Sequence, residues 1–320
     1  GISIYPAVIG KENEILEFAT RVLDSGESMP LKATVDVASY AQAVEKVKIA
    51  INLAVLVGHG ALRLNVVGYG NRYANADEIQ TMCALLDKQL SQGAVGLSLG
   101  LIYPPSSYAG MDELVALARV VSKHGKIMTA HIRNESDKVF EAMDEMEFIA
   151  KKTGVRMHIS HIKLMGNRVW GKATQLLEKL NKLESMITCD QYPFKASNTS
   201  LTTLIPKWAL DGGIENLINH LELESSKLLK EIDENITLRG GSEQIIISST
   251  GHIMETIEGL SLYDISIERG LSPSVMVARI LVKCRCKVDG IYFSMNEKDV
   301  LEIFADEKTM VASDSKGYSY

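Results

Sequence analysis

No run of 18 apolar residues occurs in this 320-residue chain, so no segment reads as a membrane-spanning helix. No signal-peptide pattern is visible either. The 34 Lys and Arg are outnumbered by 40 Asp and Glu and form no basic cluster, which argues against a nucleic-acid partner. Cysteine is scarce: Cys83, Cys189, Cys284 and Cys286. Their spacing makes neither a disulfide framework nor a CxxC zinc knuckle, and the expectation is reduced thiols in a cytoplasmic protein. No GxGxxG follows an apolar segment, so nucleotide binding has no support.

What remains is ordinary globular composition, 46% hydrophobic with a net charge of -6, in a chain long enough for one large domain or two small ones. Between 51 and 192 a rhythm is plain. "INLAVLVG" reads as a buried strand, followed by the helix "NADEIQTMCALLDKQLSQG", where Asn75 and Glu78 stand at capping-box spacing and Gly93 is a stop. "AVGLSLGLIY", "KIMTAHI", "VRMHISHIK" and "MITCDQYPF" are the next strands, at intervals of about thirty residues. An amphipathic helix separates each pair; in one of them Val139, Met143, Met146 and Ile149 form a single stripe.

Strands alternating with helices imply parallel pairing, in a doubly wound sheet or a (β/α)8 barrel. Polar residues close nearly every strand: His59, Tyr103, His131, His161 with Lys163, and Asp190 with Tyr192. A barrel gathers such ends around one mouth, so the expected fold is an α/β TIM-type barrel whose strands and helices fill 1–197. From about 198 the rhythm breaks, and 198–243 reads as a helical insertion, a candidate lid. The pattern resumes over 244–320 with "QIIISST" and "GIYFSM", expected to complete the barrel, and a last strand ending at Asp314.

Period-2 alternation would put Thr129 and His131 on one face of their strand, and Ile159, His161 and Lys163 on one face of the next. The ends of adjacent strands bring two imidazoles within about 5–7 Å, near enough to share one zinc. A lone histidine near a strand end is usually a hydrogen-bonding core or surface residue, and His124, His158, His220 and His252 are read so, with His158 outward-facing. His59, between glycines, reads equally as a mouth residue or a structural one. The matched pair His131 and His161, with Asp314 ending a later strand, reads instead as a hydrolytic metal site. Zinc there would lower the pKa of water toward 7, and Asp314 would ligate the metal or shuttle the proton.

The runs "VGHGALRLNVVG", "GAVGLSLGLIYPPSSYA", "HIRNE", "ISHIKLMGNRVWGKATQLLE", "CDQYPFKASNTSL" and "VASD" together resemble the N-acyl-D-amino-acid deacylase branch of the amidohydrolase superfamily. The resemblance extends from about 1 to 314 and is weakest in the insertion and over 220–290. It implies a zinc-dependent barrel hydrolase that cleaves the amide of a small N-acyl-D-amino acid. It also implies His131 and His161 as metal ligands, Asp314 as catalytic acid/base and second-site ligand, and Tyr103, Lys163 and Tyr192 as binders of the substrate carboxylate.

Two departures stand out. The family's H-x-H ligand pair after strand one is absent, and its metal-bridging cysteine would fall just before Gly1. The expectation is therefore the middle of a longer protein, a barrel without its first two strands in this sequence. A cyclic-amide hydrolase of hydantoinase or dihydroorotase type is a second reading, weakened because "GLSLGLIY" offers no lysine to be carboxylated. A non-catalytic protein with an incomplete metal site is a third.

Overall fold

The computed structural model describes residues 36–47, 49–183 and 186–314, and within them the predicted alternation is present. Strands β1 (Leu56–Gly58), β2 (Gly96–Gly100), β3 (Ile127–His131), β4 (Arg156–Ile159) and β5 (Ile187–Gln191) lie side by side, all parallel. A helix α1 (Val37–Val47) precedes them. Between them run α2 (His59–Val66), α3 (Ala76–Ser91), α4 (Met111–Lys123), α5 (Val139–Thr153) and α6 (Ala173–Lys182). Val139, Met143, Met146 and Ile149 of α5 are all fully buried, as their spacing required. Gly96 is a glycine because a Cβ there would lie 1.9 Å from the Ile127 carbonyl oxygen of the neighbouring strand.

Helix α3 starts at the predicted capping box. The Asn75 side chain accepts from the Glu78 backbone N–H at 2.9 Å, and the Glu78 carboxylate accepts from the Asn75 N–H at 2.8 Å. Glu78 is also gripped by both terminal nitrogens of Arg72, at 2.8 and 2.6 Å. Arg72 foremost, then the Asn75 N–H, holds the Glu78 carboxyl at about 2. A carboxylate depressed in the fold contributes stability above its unfolded pKa and loses it as pH falls toward the folded value. Glu78→Gln should therefore cost about 0.5–1 kcal/mol at pH 7, kept small by the solvent around Arg72. It should also flatten the stability loss between pH 4.5 and about 2. Urea titrations at pH 7 and pH 3 measure this; an unaltered acid limb would rule it out.

The return to a barrel over 244–320 is only partly met. Strands β7 (Ile245–Ser249) and β8 (Asp289–Tyr292) do form, but they pair antiparallel with each other, and β8 pairs antiparallel with β6 (Ser197–Ser200), in the order β6-β8-β7. A short apolar run announces a strand without saying which sheet it joins. Polar "SNTS" became a strand only because β8 was there to pair with it, tertiary pairing overriding propensity. Thr309–Val311 (β9) alone from this segment reaches the parallel sheet, against β5. The result is a six-stranded parallel sheet, β1-β2-β3-β4-β5-β9, that is not closed.

The helical stretch predicted over 198–243 is present as α7 (Ile214–Glu222) and α8 (Ser226–Leu238). It is not an isolated insertion. A second hydrophobic core, from Leu201 to Tyr292, joins both helices to β7, α9 (Leu262–Arg269) and α10 (Pro273–Lys283). Helix α11 (Glu297–Phe304) then leads back to the parallel sheet. The two parts meet closely at Gly166 (φ 89°), whose absent Cβ would lie 2.3 Å from the Leu238 carbonyl oxygen. Its N–H donates to Ser294 O at 2.7 Å. Among the described residues, all four cysteines are free and no helix is long and apolar enough to cross a membrane.

Candidate metal centre

His131 is the last residue of β3, registered opposite Gly100 of β2. His161 lies two residues beyond the end of β4, with φ at 43°, in the left-handed region that histidine tolerates better than most side chains. That conformation corrects the alternation argument. Thr129 pairs with His158, so His158 shares the face of His131, while Met157 and Ile159 are buried in the core behind the sheet. The left-handed residue turns the chain over and returns the His161 imidazole to the side of His131.

His158 is accordingly not outward-facing. Its Nδ1 meets Thr188 Oγ1 at 2.8 Å and its Nε2 meets Asp190 Oδ2 at 2.7 Å. The other Asp190 oxygen accepts the His161 backbone N–H at 2.6 Å. Burial works against the Asp190 charge, but His158 and this N–H outweigh it and lower the carboxyl's pKa. Asp190, on β5, thus anchors the strained residue on β4.

The rings of His131 and His161 meet with centroids 4.6 Å apart and Nδ1 to Nε2 at 3.0 Å. Glu135 joins them from the loop after β3. The Asn134 side chain accepts from the Ser136 and Lys138 N–H groups at 2.7 and 3.1 Å, folding that loop back. The Glu135 carboxylate lies 3.1 Å from His161 Nδ1, 3.7 Å from His131 Nε2 and 2.6 Å from Lys163 Nζ. Lys163, only 3% exposed, also lies 2.8 Å from His161 Nδ1.

Burial drives the His131 pKa well below its ordinary value, so the imidazole is neutral. Burial opposes the Glu135 charge, yet the Lys163 ammonium and the hydrogen bond to His161 hold its carboxyl well below the carboxylate range. A neutral imidazole and an ionised carboxylate are the states that offer lone pairs to a cation. Potential ligand atoms of His131, Glu135 and His161 all lie within 4.8 Å of one another. Tetrahedral zinc at about 2.0–2.1 Å from each donor asks for donors about 3–3.5 Å apart. The buried His131 Nε2 has no hydrogen-bond partner. These residues fit a divalent cation.

Tyr103 and Tyr192 flank the cluster. The Tyr103 ring centroid is 5.3 Å from that of His131, and its hydroxyl shares a hydrogen bond with Thr199 Oγ1 at 2.9 Å. The Tyr192 ring centroid is 6.5 Å from that of His161, with Lys163 Nζ 5.5 Å from the centre of the ring. Burial first, then the Glu135 charge, raises both phenols, Tyr103 to about 12. Five of the six predicted site residues are therefore brought together. Asp314 is not among the clustered ligands: it is exposed beyond the end of β9, in a left-handed conformation (φ 46°). Its charge nevertheless reaches both tyrosine hydroxyls, adding to the rise in their pKa values. Beside the cluster, Tyr103 and Glu135 open into a cavity of about 600 Å³ whose opposite wall is α8.

No family model matches the chain. An N-acyl-D-glutamate deacylase of Alcaligenes xylosoxydans is 34% identical over 282 residues, 87% of this chain and 50% of that protein. A crystal structure of N-acyl-D-glutamate deacylase from Bordetella bronchiseptica, with zinc and a phosphonate mimic of the tetrahedral intermediate, matches with a TM-score of 0.74. It is 28% identical and covers 98% of this chain and 56% of its own. Over most of its length the chain is similar to N-acyl-D-amino-acid deacylases. A D-aminoacylase structure, described as defining a novel subset of amidohydrolases, gives a TM-score of 0.70 at 28% identity, covering 90% of this chain and 55% of its own. The chain spans about half the length of the relatives it matches.

Sequence reasoning missed Glu135 as a participant in this cluster, and misplaced His158. The signal for Glu135 was faint: a carboxylate four residues after a strand-end histidine, preceded by an asparagine able to turn the loop. His59, open between two readings, is structural. It is fully buried, with Nε2 2.7 Å from Glu113 Oε1 and Nδ1 3.0 Å from Ser106 Oγ.

Proposed function

We propose that this chain is the catalytic part of a zinc-dependent amidohydrolase. It would act in the cytoplasm on small-molecule N-acyl-D-amino acids, cleaving their amide to a carboxylate and a free D-amino acid. The observation that carries the reading is the His131–Glu135–His161 cluster at the C-terminal ends of adjacent parallel strands, in a chain whose relatives bear the names of that reaction. The six parallel strands are then six of the eight in a (β/α)8 barrel, and the unit built on the second core is its lid.

His131, His161 and Glu135 would hold the zinc. When bound, zinc lowers the pKa of water toward 7 and polarises the acyl carbonyl. Asp314 accepts the proton that the attacking water gives up, and returns it to the nitrogen as the C–N bond breaks. The α-carboxylate of the substrate lies among Tyr103, Lys163 and Tyr192. An ammonium has three donors, and Lys163 spends two on Glu135 and His161, leaving one for the substrate. The phenols stay protonated at neutral pH and remain donors.

Zinc per polypeptide, measured by elemental mass spectrometry on the purified full-length protein, tests the site. Wild type should carry about one or more zinc ions and His161→Ala should fall well below that, since losing a zinc ligand costs affinity steeply. N-acetyl-D-amino acids should be hydrolysed and their L-enantiomers spared. Metal content unmoved by His161→Ala would remove that residue from the site, and hydrolysis of L-substrates alone would overturn the substrate class.

A further inference from the structure

A second cavity, of about 530 Å³, opens at the N-terminus of α4, and none of the residues assigned to the metal or the substrate lines it. Gly110, the residue before the helix, lies in its wall and has no side chain with which to cap the first turn. The N–H groups that open a helix have no partner within it, and together they carry partial positive charge. Neither acid of that turn fills the cavity. Asp112 is exposed and outside its wall, and Glu113 is engaged with His59 and Arg63.

Three side chains surround this helix end. Ser107 is 7% exposed and lines the cavity. Its N–H donates to Tyr103 O at 2.9 Å and its carbonyl accepts from Arg133 Nη1 at 2.9 Å, so what it turns to the cavity is its side chain. The buried Ser107 hydroxyl has no hydrogen-bond partner among the described residues. A buried hydroxyl left unpaired is costly, and a ligand oxygen relieves that cost.

Arg133 also lines the cavity. Its Nε and Nη2 are engaged with Glu145 and Ala109 O, and one Nη1 N–H with Ser107 O. A guanidinium has five N–H donors, so one remains on the Nη1 edge, beside Ser107. Lys207, in the same wall, forms no ion pair among the described residues. Although much of its side chain is exposed, the protein packed around it and then the Arg133 charge lower its pKa. The Tyr108 hydroxyl donates to Lys207 O at 3.3 Å and holds that segment against the turn before α4.

We propose that this cavity binds a phosphate group, free or at the end of a small ester, at the N-terminus of α4. The phosphate oxygens accept from the opening N–H groups of the helix, the Ser107 hydroxyl, the remaining Nη1 N–H and the Lys207 ammonium. Four donor groups match the four oxygens of phosphate, whereas a carboxylate has two. The site stands independently of the hydrolytic reading.

The test is isothermal titration calorimetry of the purified full-length protein with inorganic phosphate, and with phenyl phosphate, at low salt. Wild type should bind phosphate saturably. Ser107→Ala and Lys207→Met should each weaken binding by about 10-fold or more, the low end for a hydrogen bond to a charged group. Gly110→Asp should abolish it, because the new carboxylate caps the helix and occupies the place of the anion. Gly110 is extended (φ -86°, ψ 167°), as a cap requires. The Tyr73 ring, 3.3 Å from the added Cβ, is 77% exposed and free to move aside. The unfolding midpoint of Gly110→Asp should therefore hold or rise, which separates a lost site from a lost fold.

Phenyl phosphate bound more tightly than the free ion identifies an ester, its ring lying on Tyr73; equal or weaker binding identifies the free ion. Heat that never saturates overturns the proposal. So does binding that Gly110→Asp leaves intact, because phosphate drawn to a metal ion or into the larger cavity does not touch Gly110.

Discussion

Glu113→Leu is expected to lower the free energy of unfolding by about 3–5 kcal/mol, because it leaves charge stranded in the interior. Glu113 is 1% exposed in the first turn of α4, and its two oxygens serve two partners. Oε1 takes His59 Nε2 at 2.7 Å and Oε2 takes Arg63 Nη1. Arg63 is itself fully buried; its remaining hydrogen bond is to Arg72 O at 2.9 Å, and its Nε has no partner. Burial lowers the Arg63 pKa, and Glu113 is the main force opposing that. Without the carboxylate, the guanidinium must either sit uncompensated or pull α2 toward water. Replacing Arg63 and His59 by apolar residues of similar volume in the same variant should recover much of the loss, since apolar replacement of a whole buried cluster is often neutral. Urea midpoints with matched m-values measure both variants. A single variant as stable as wild type would mean that water reaches this cluster in solution.

Asp314→Asn is expected to lower kcat for N-acetyl-D-amino acids by about 10²–10⁴-fold, the usual contribution of a positioned acid/base. KM should stay within a few-fold, because the residues assigned to the substrate carboxylate are Tyr103, Lys163 and Tyr192. Zinc content should also stay, because the clustered donors are His131, Glu135 and His161 and do not include Asp314. Zinc lost together with kcat would make Asp314 a ligand first, and near-normal turnover would take it out of the reaction. A wild-type residue that already stands outside the cluster makes these outcomes separable.

The parallel half of the fold was legible because it repeats. The apolar runs that form β2 to β5 each lead within a few residues into a polar one, helix α5 carries the stripe from Val139 to Ile149, and Asn75 with Glu78 marks one start. The second half was opaque for a physical reason. Antiparallel β6, β7 and β8 are joined across about ninety residues, and no local pattern encodes which strands meet. The structure does bring His131, His161, Lys163, Tyr103 and Tyr192 together, the histidine pair expected from strand-end spacing and the others from family resemblance. The route to His161 was nevertheless wrong. Alternation assumes the strand continues, and β4 ends at Ile159, with the reversal lodged in one left-handed residue. Glu135 was missed because a loop carboxylate acquires its address only when Asn134 folds the loop back.

The anchoring of His161 through its main chain, by Asp190 of the next strand, has a further consequence. The scaffold fixes the location of this donor independently of what the donor is. Its side chain could be exchanged for another coordinating group without unmooring the peptide that presents it. Aspartate and asparagine, which adopt the left-handed conformation with least strain, are the natural replacements. Position 161 is in that sense a socket: were the cluster to hold a cation, the donor at 161 could change by one codon while the architecture around it stands still.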